Sequence, residues 1–279
     1  MKKHLWAIIY TILLVSFTVY MALDTFVIPR GYTVVAQSEE EENDSEEAEG
    51  VVMEDTYKDD NISITLTEYR EYDTSIYVAD VILSSPEYLQ TAFANDTYGR
   101  NITEKTSEIA QDQNAILAIN GDYYGVQEKG YVLRNGTLYR DTASQGREDL
   151  VIYEDGSFEI VNEDDVSASR LKEQGATQIL SFGPALVEDG EISVTKNEEV
   201  GKAMASNPRT AIAVIDDLHY LFIVSDGRTS ESAGLTLYQL AEFAQQLGAE
   251  TVYNLDGGGS STMYFNGKVI NNPTTGEER

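Results

Sequence analysis

Residues 211–255 read AIAVIDDLHYLFIVSDGRTSESAGLTLYQLAEFAQQLGAETVYNL, and the fold turns on them. The runs 211–215 and 218–224 are continuously apolar around Asp216-Asp217, which is the pattern of a hairpin whose strands are buried on both faces. Thr236 stands three residues before Gln239, a capping box that opens a helix. Leu237, Leu240, Ala241, Ala244 and Leu247 then mark one helical face, and Gly248 stops it. Residues 251–255 form a further strand. The whole is a β-α-β unit, so strands 218–224 and 251–255 are expected to be parallel and joined right-handedly.

Working outward, residues 62–67 alternate apolar and polar side chains and 76–82 do so more loosely, as half-buried antiparallel strands do. The pairs Asn135-Gly136, Asp155-Gly156, Asp189-Gly190 and Asn266-Gly267 sit between β-prone flanks. Each favours the positive φ of a tight hairpin. A helix near 103–113 leads into a strand at 115–119. The expected class is α/β of the mixed α+β kind: a mixed sheet with a C-terminal β-α-β unit and several hairpins.

The N-terminus obeys different rules. Met1-Lys2-Lys3-His4 precedes an uncharged run from Leu5 to Leu23, long enough at about 1.5 Å per residue to approach a bilayer core of roughly 30 Å. The expectation is a cytoplasmic tail over 1–4 and a transmembrane signal anchor over 5–28, with everything after it outside the cell. Residues 37–60 then carry twelve acids against Lys58 alone. Such a segment repels itself and buries little, so 29–60 is expected as an acidic disordered linker. The ectodomain is expected over 61–279, with its core from about 92.

Charge and composition exclude much chemistry. The chain has 48 acids, 19 bases and a net charge of −29, which opposes a nucleic-acid partner. No Cys is present and only two His, His4 and His219, so thiol nucleophiles, disulfides and Cys-ligated metals are out. Carboxylates, hydroxyls, amides, a few Arg and the backbone remain.

Three polar clusters follow strands: Asn120-Gly121-Asp122-Tyr123-Tyr124, Ser225-Asp226-Gly227-Arg228, and 254–262 with its run Asp256-Gly257-Gly258-Gly259-Ser260-Ser261-Thr262. In α/β sheets ligands bind beyond the carboxyl ends of strands. Three consecutive glycines let backbone N–H groups approach a ligand, and the hydroxyls add donors suited to phosphate or sugar. The loop lacks the Lys of a nucleotide-binding P-loop. Arg209, in Asn207-Pro208-Arg209-Thr210, precedes a buried strand and Arg228 follows one; both are candidates for bidentate phosphate contacts. Ser181-Phe182-Gly183-Pro184-Ala185-Leu186 reads as a strand end with a rigid turn.

These motifs, in this order and ending in Asn254-Leu255-Asp256-Gly257-Gly258-Gly259-Ser260-Ser261-Thr262-Met263, resemble the phosphodiester glycosidase family, and above all its bacterial membrane-anchored, exopolysaccharide-related members. The resemblance runs from about residue 92 onward. It implies a carbohydrate partner, a sugar-1-phosphodiester of the N-acetylglucosamine-1-phosphodiester kind, hydrolysed to sugar and phosphomonoester. On that implication Arg209 and the loop Gly257, Gly258, Gly259, Ser260, Ser261 and Thr262 hold the phosphate together with Arg228. Asp256 and Asp122 are the candidates for general base or cation stabiliser, with Asp226 and Glu231 behind them, and Asn120 and Asn254 bind sugar hydroxyls. This route requires no cofactor. Two other readings stay open: a phosphodiesterase breaking P–O with Mg²⁺ or Ca²⁺ on Asp122, Asp226 and Asp256, and a non-catalytic glycan-binding module.

Overall fold

The computed structural model describes residues 2–26, 30–31, 51–53, 55–196, 206–274 and 276–278. Its centre is a nine-stranded sheet. The strands run, in spatial order, Glu191–Ile192, Ala185–Glu188, Thr251–Asn254, Arg209–Asp216, His219–Ser225, Thr74–Leu83, Ile62–Glu71, Thr56–Lys58 and Val51–Met53. A five-stranded sheet carries Phe158–Asn162, Glu148–Tyr153, Ala176–Leu180, Val132–Arg134 and Thr137–Arg140, and a small one carries Lys268–Val269, Met263–Phe265 and Leu117–Ile119.

Each face of the central sheet buries a different partner, as strand alternation requires. Ala211, Ala213, Leu221, Ile223 and Val252 face the crossover helix Leu237–Gln246, which meets them with Leu237, Leu240, Ala241, Phe243 and Ala244. On the opposite face Tyr220 and Val224 pack on Met263 and Phe265 of the small sheet. Ile212 and Tyr253 pack there on Leu150, Ile152 and Leu180 of the five-stranded sheet. The helix Ala168–Glu173 closes that sheet's outer face with Ala168 and Leu171. The result is a layered, sheet-rich α+β body.

The expected capping box forms: Thr236 Oγ1 accepts from Gln239 N at 3.1 Å and Gln239 Oε1 accepts from Thr236 N at 2.9 Å. His219–Ser225 and Thr251–Asn254 each pair antiparallel with Arg209–Asp216 and so run in the same direction. Every pairing among the described residues is antiparallel. The parallel relation therefore spans an intervening strand.

Two N-terminal expectations are corrected. A helix forms over Lys2–Phe26, but among the described residues no helix is long and apolar enough to cross a membrane. Tyr10, Thr11, Ser16, Thr18 and Tyr20 break its apolar surface. The linker expected over 29–60 is likewise structured at both ends. Arg30–Gly31 pairs with Gly99–Arg100, and Thr56–Lys58 pairs with Ile62–Glu71, where Tyr57 adds to the core. Residues 32–50 lie outside the described residues.

Candidate active site

Register brings the polar clusters together. Arg209 pairs with Ser225, and Ala211 with Asn254. One end of the central sheet therefore gathers the start of one strand and the ends of its two neighbours. Asn120 ties the fourth segment to them. Its Oδ1 accepts from Thr210 Oγ1 at 2.8 Å and from Thr262 N at 3.1 Å, while its Nδ2 donates to Asp256 O at 2.6 Å.

Sequence explains why the loop lies so close. A Cβ on Gly257 would stand 2.8 Å from Pro208 O, so no other residue fits there unshifted. Gly258 adopts φ +65° and donates its N–H to Pro208 O at 2.9 Å. A short 3-10 turn, Gly258–Ser260, follows, with Gly259 buried and Ser260 half-buried.

The two arginines take different postures. Arg209 is 3% exposed, and its Nε donates to Leu235 O at 2.9 Å. Arg228 is exposed; its Nε and Nη2 both donate to Asn207 Oδ1, at 2.9 and 2.6 Å, and its guanidinium lies against Gly258. Beside them are three buried side-chain oxygens with no hydrogen-bond partner: Asn254 Oδ1, Ser261 Oγ and Thr262 Oγ1. Asn254 is otherwise held, its Nδ2 donating to Gly183 O at 2.8 Å. A buried polar atom left unmatched costs about 1–3 kcal/mol, so three at one loop mark a place built for something else to bind.

The acids are placed unequally. Asp122 is held by Arg134, whose Nη2 reaches both carboxylate oxygens at 2.7 Å, and its Oδ2 also accepts from Ser181 N at 2.9 Å. Asp226 is buried beneath the loop. Its Oδ1 accepts from Asn272 N at 2.9 Å and from Asn271 Nδ2 at 3.4 Å, and the same Asn271 donates to Ser261 O. Burial raises the Asp226 pKa, opposed by those hydrogen bonds. Asp256 is half-buried, with its N–H on Gly121 O. Glu231 stands in an exposed turn, where its carbonyl accepts from Arg70; no contact joins its carboxylate to the loop.

Sequence reading passed over several residues that hold this end together. Arg134, 5% exposed, is the partner of Asp122. Its signal was an Arg closing the apolar run Tyr131-Val132-Leu133, just before the Asn135-Gly136 turn. Behind Ser181 lie Asp149, fully buried, and Glu163, whose Oε1 accepts from Ser181 Oγ at 2.9 Å and from Tyr131 N at 3.2 Å. Burial first, and the neighbouring Glu163 second, push the Asp149 pKa up to about 9. It is therefore a neutral acid at physiological pH. Among the described residues no group of three or more His, Asp or Glu is placed to hold a metal ion.

Residues 113–279 match the profile of the phosphodiester glycosidase family. The chain is 29% identical over 187 residues to the SPbeta prophage-derived uncharacterized protein YomE of Bacillus subtilis (strain 168), covering 65% of this chain and 29% of that protein. It is 30% identical over 109 residues to N-acetylglucosamine-1-phosphodiester alpha-N-acetylglucosaminidase of Mus musculus, covering 35% of this chain and 21% of that one. It thus spans under a third of the length of these curated relatives. Its fold is similar to the zebrafish N-acetylglucosamine-1-phosphodiester alpha-N-acetylglucosaminidase catalytic domain auto-inhibited by pro-peptide, with a TM-score of 0.58, 22% identity and coverage of 76% of this chain and 75% of that chain. A hypothetical protein from Synechocystis is also similar, with a TM-score of 0.55, 16% identity and coverage of 76% and 59%.

Proposed function

This chain belongs to the phosphodiester glycosidase family, and from that premise we propose that it hydrolyses a sugar-1-phosphodiester at the anomeric carbon. The observation that carries the proposal is the convergence of Arg209, Arg228 and the loop 256–262 around three unmatched buried oxygens at one end of the central sheet.

In the proposed reaction, Arg209, Arg228 and the loop N–H groups hold the phosphate, and the Ser261 and Thr262 hydroxyls supply further donors. The bond from C1 to the phosphate oxygen breaks through an oxocarbenium-like transition state. Its electron pair leaves with the phosphate oxygen, producing the phosphomonoester. Water supplies the oxygen that bonds to C1, and its proton passes to a carboxylate. Asp256 is assigned that role. Asp256 is half-buried and heads the glycine loop where that loop leaves the sheet end. Asp122, with both oxygens bonded to Arg134, fixes the neighbouring Gly121, whose O accepts from Asp256 N. Asn120, with its Oδ1 and Nδ2 both bonded to the scaffold, positions the loop. No step requires a metal or cofactor.

The substrate proposed is an N-acetylglucosamine-1-phosphodiester in a surface glycan or exopolysaccharide. An extracellular placement of the catalytic body is part of the same proposal. Its support is the proposed substrate, a surface glycan, and protease shaving of intact cells tests it. Hydrolysis in ¹⁸O-water tests the reaction. Label in the released sugar supports C–O cleavage; label in the phosphate sinks it. Asp256→Ala and Arg209→Ala should each lower kcat/KM by about a hundredfold or more.

A further inference from the structure

Upstream of the loop, four aromatic rings cluster beside Arg134. Phe93 and Tyr139 meet edge to face, with centroids 4.9 Å apart and planes at 85°. Tyr98 stands 4.9 Å from Tyr139, and Tyr124 stands 5.2 Å from Phe93. All four rings are half-buried. Phe93 and Tyr139 line one side of a cavity of about 170 Å³, whose other walls include Asp96, Gln113, Arg134 and Thr137. That is below the roughly 300–1,000 Å³ typical of drug-sized pockets, so it holds one ring rather than a chain.

The chemistry of the walls selects the ring. Arg134 is the one cation lining the cavity, and Asp122 neutralises it with two contacts at 2.7 Å. Asp96, which also lines the cavity, adds a negative charge, and its Oδ1 accepts from Gln113 Nε2 at 2.7 Å. A phosphate would meet no net positive charge here. A neutral ligand with apolar C–H faces and a rim of hydroxyls fits better. Its C–H groups meet the electron-rich faces of Phe93 and Tyr139, while the amide, carboxylate and hydroxyl of Gln113, Asp96 and Thr137 meet its rim.

We propose that this aromatic cup is a subsite for a neutral sugar ring of the glycan, separate from the loop that takes the phosphate. Arg134 joins the two, since the guanidinium that lines the cup also holds Asp122, which is bonded to Ser181 at the sheet end. The assignment of the ring to a substrate rests on the proposed hydrolase reading; the binding of the ring does not.

Calorimetric titration of the full chain with free chitotriose, a neutral N-acetylglucosamine trimer, tests the cup without turnover. Saturable binding is expected. Tyr139→Ala should weaken it about tenfold through loss of one aromatic face, and Thr137→Trp, which fills the cavity, should weaken it at least as much. Gln113→Ala, at an exposed position away from the ring packing, should weaken it about threefold. Arg209→Ala should leave it within about twofold, because the phosphate arm is not used. Thermal melts identify any variant that fails to fold, and Gln113→Ala and Thr137→Trp then decide. No saturable binding by the wild type, or unchanged binding in the folded cup variants, overturns the subsite. Absence of phosphodiester hydrolysis by the wild type, with chitotriose binding intact, would overturn the hydrolase reading and leave the cup standing.

Discussion

Asn120 joins three chain segments through one side chain, and its loss should be felt far from position 120. Thr210, Asp256 and Thr262 all bond to it. Asn120→Ala strands a buried hydroxyl and two backbone groups, so chemical denaturation should show about 2–4 kcal/mol less stability. Asp149 makes a prediction with a sign. Its pKa of about 9 in the folded chain stands against about 3.9 when unfolded. Between those values the folded state keeps a proton that the unfolded state releases. The stability this group contributes is full below about pH 3.9 and is lost as pH rises toward 9. Asp149→Asn should therefore raise Tm at pH 8 by about 3 °C or more and change it little at pH 4. An unaltered pH slope would exclude this origin. At this scale the sequence showed which residues cluster but not their partners. Asp122 lies in the loop after Leu117–Ile119 and Arg134 ends a strand of the five-stranded sheet, and nothing local encodes that pairing.

At the scale of the element, sequence was most legible where local chemistry decides. Asn135-Gly136, Asp189-Gly190 and Asn266-Gly267 all show positive φ at both turn positions, and Gly156 does so at +86°. All four pairs connect hairpin strands. The Tyr72-Asp73 turn between Ile62–Glu71 and Thr74–Leu83 carries no such signal, since neither residue is a Gly, although φ is 52° and 53°. Asp73 is exposed. Asp73→Gly should relieve that strain and stabilise the chain by roughly 0.5 kcal/mol, within a range of a few tenths to one; urea unfolding measures it. The crossover helix was legible for the same local reason, through its cap and its apolar spacing. What periodicity could not supply was the strand lying between the two that the helix connects. That order is set by which faces bury together, not by the residues of the unit itself.

At the scale of the molecule, the folded body begins before residue 61. An acidic segment reads as solvated, yet its last residues complete the edge of the central sheet: Tyr57 packs in the core and Leu66 N donates to Asp55 O. A chain beginning at residue 51 should melt at the same temperature as the full chain, and one beginning at 61 several degrees lower, since it exposes the long strand Ile62–Glu71 as a free edge. Differential scanning calorimetry distinguishes them. The net charge of −29 also takes on meaning only here. In so acidic a chain, Arg209 and Arg228 at one sheet end stand out as the cations beside the glycine loop.

The bond between Asn120 and Thr262 spans 142 positions of chain. Contacts of such separation form late, because a long loop must close before they repay its entropy. The loop 256–262 consequently has no anchored form in a partly synthesised or partly refolded chain. Turnover then reports completion of the fold itself: during refolding, activity should return no faster than the slowest structural phase, while the hairpins return earlier.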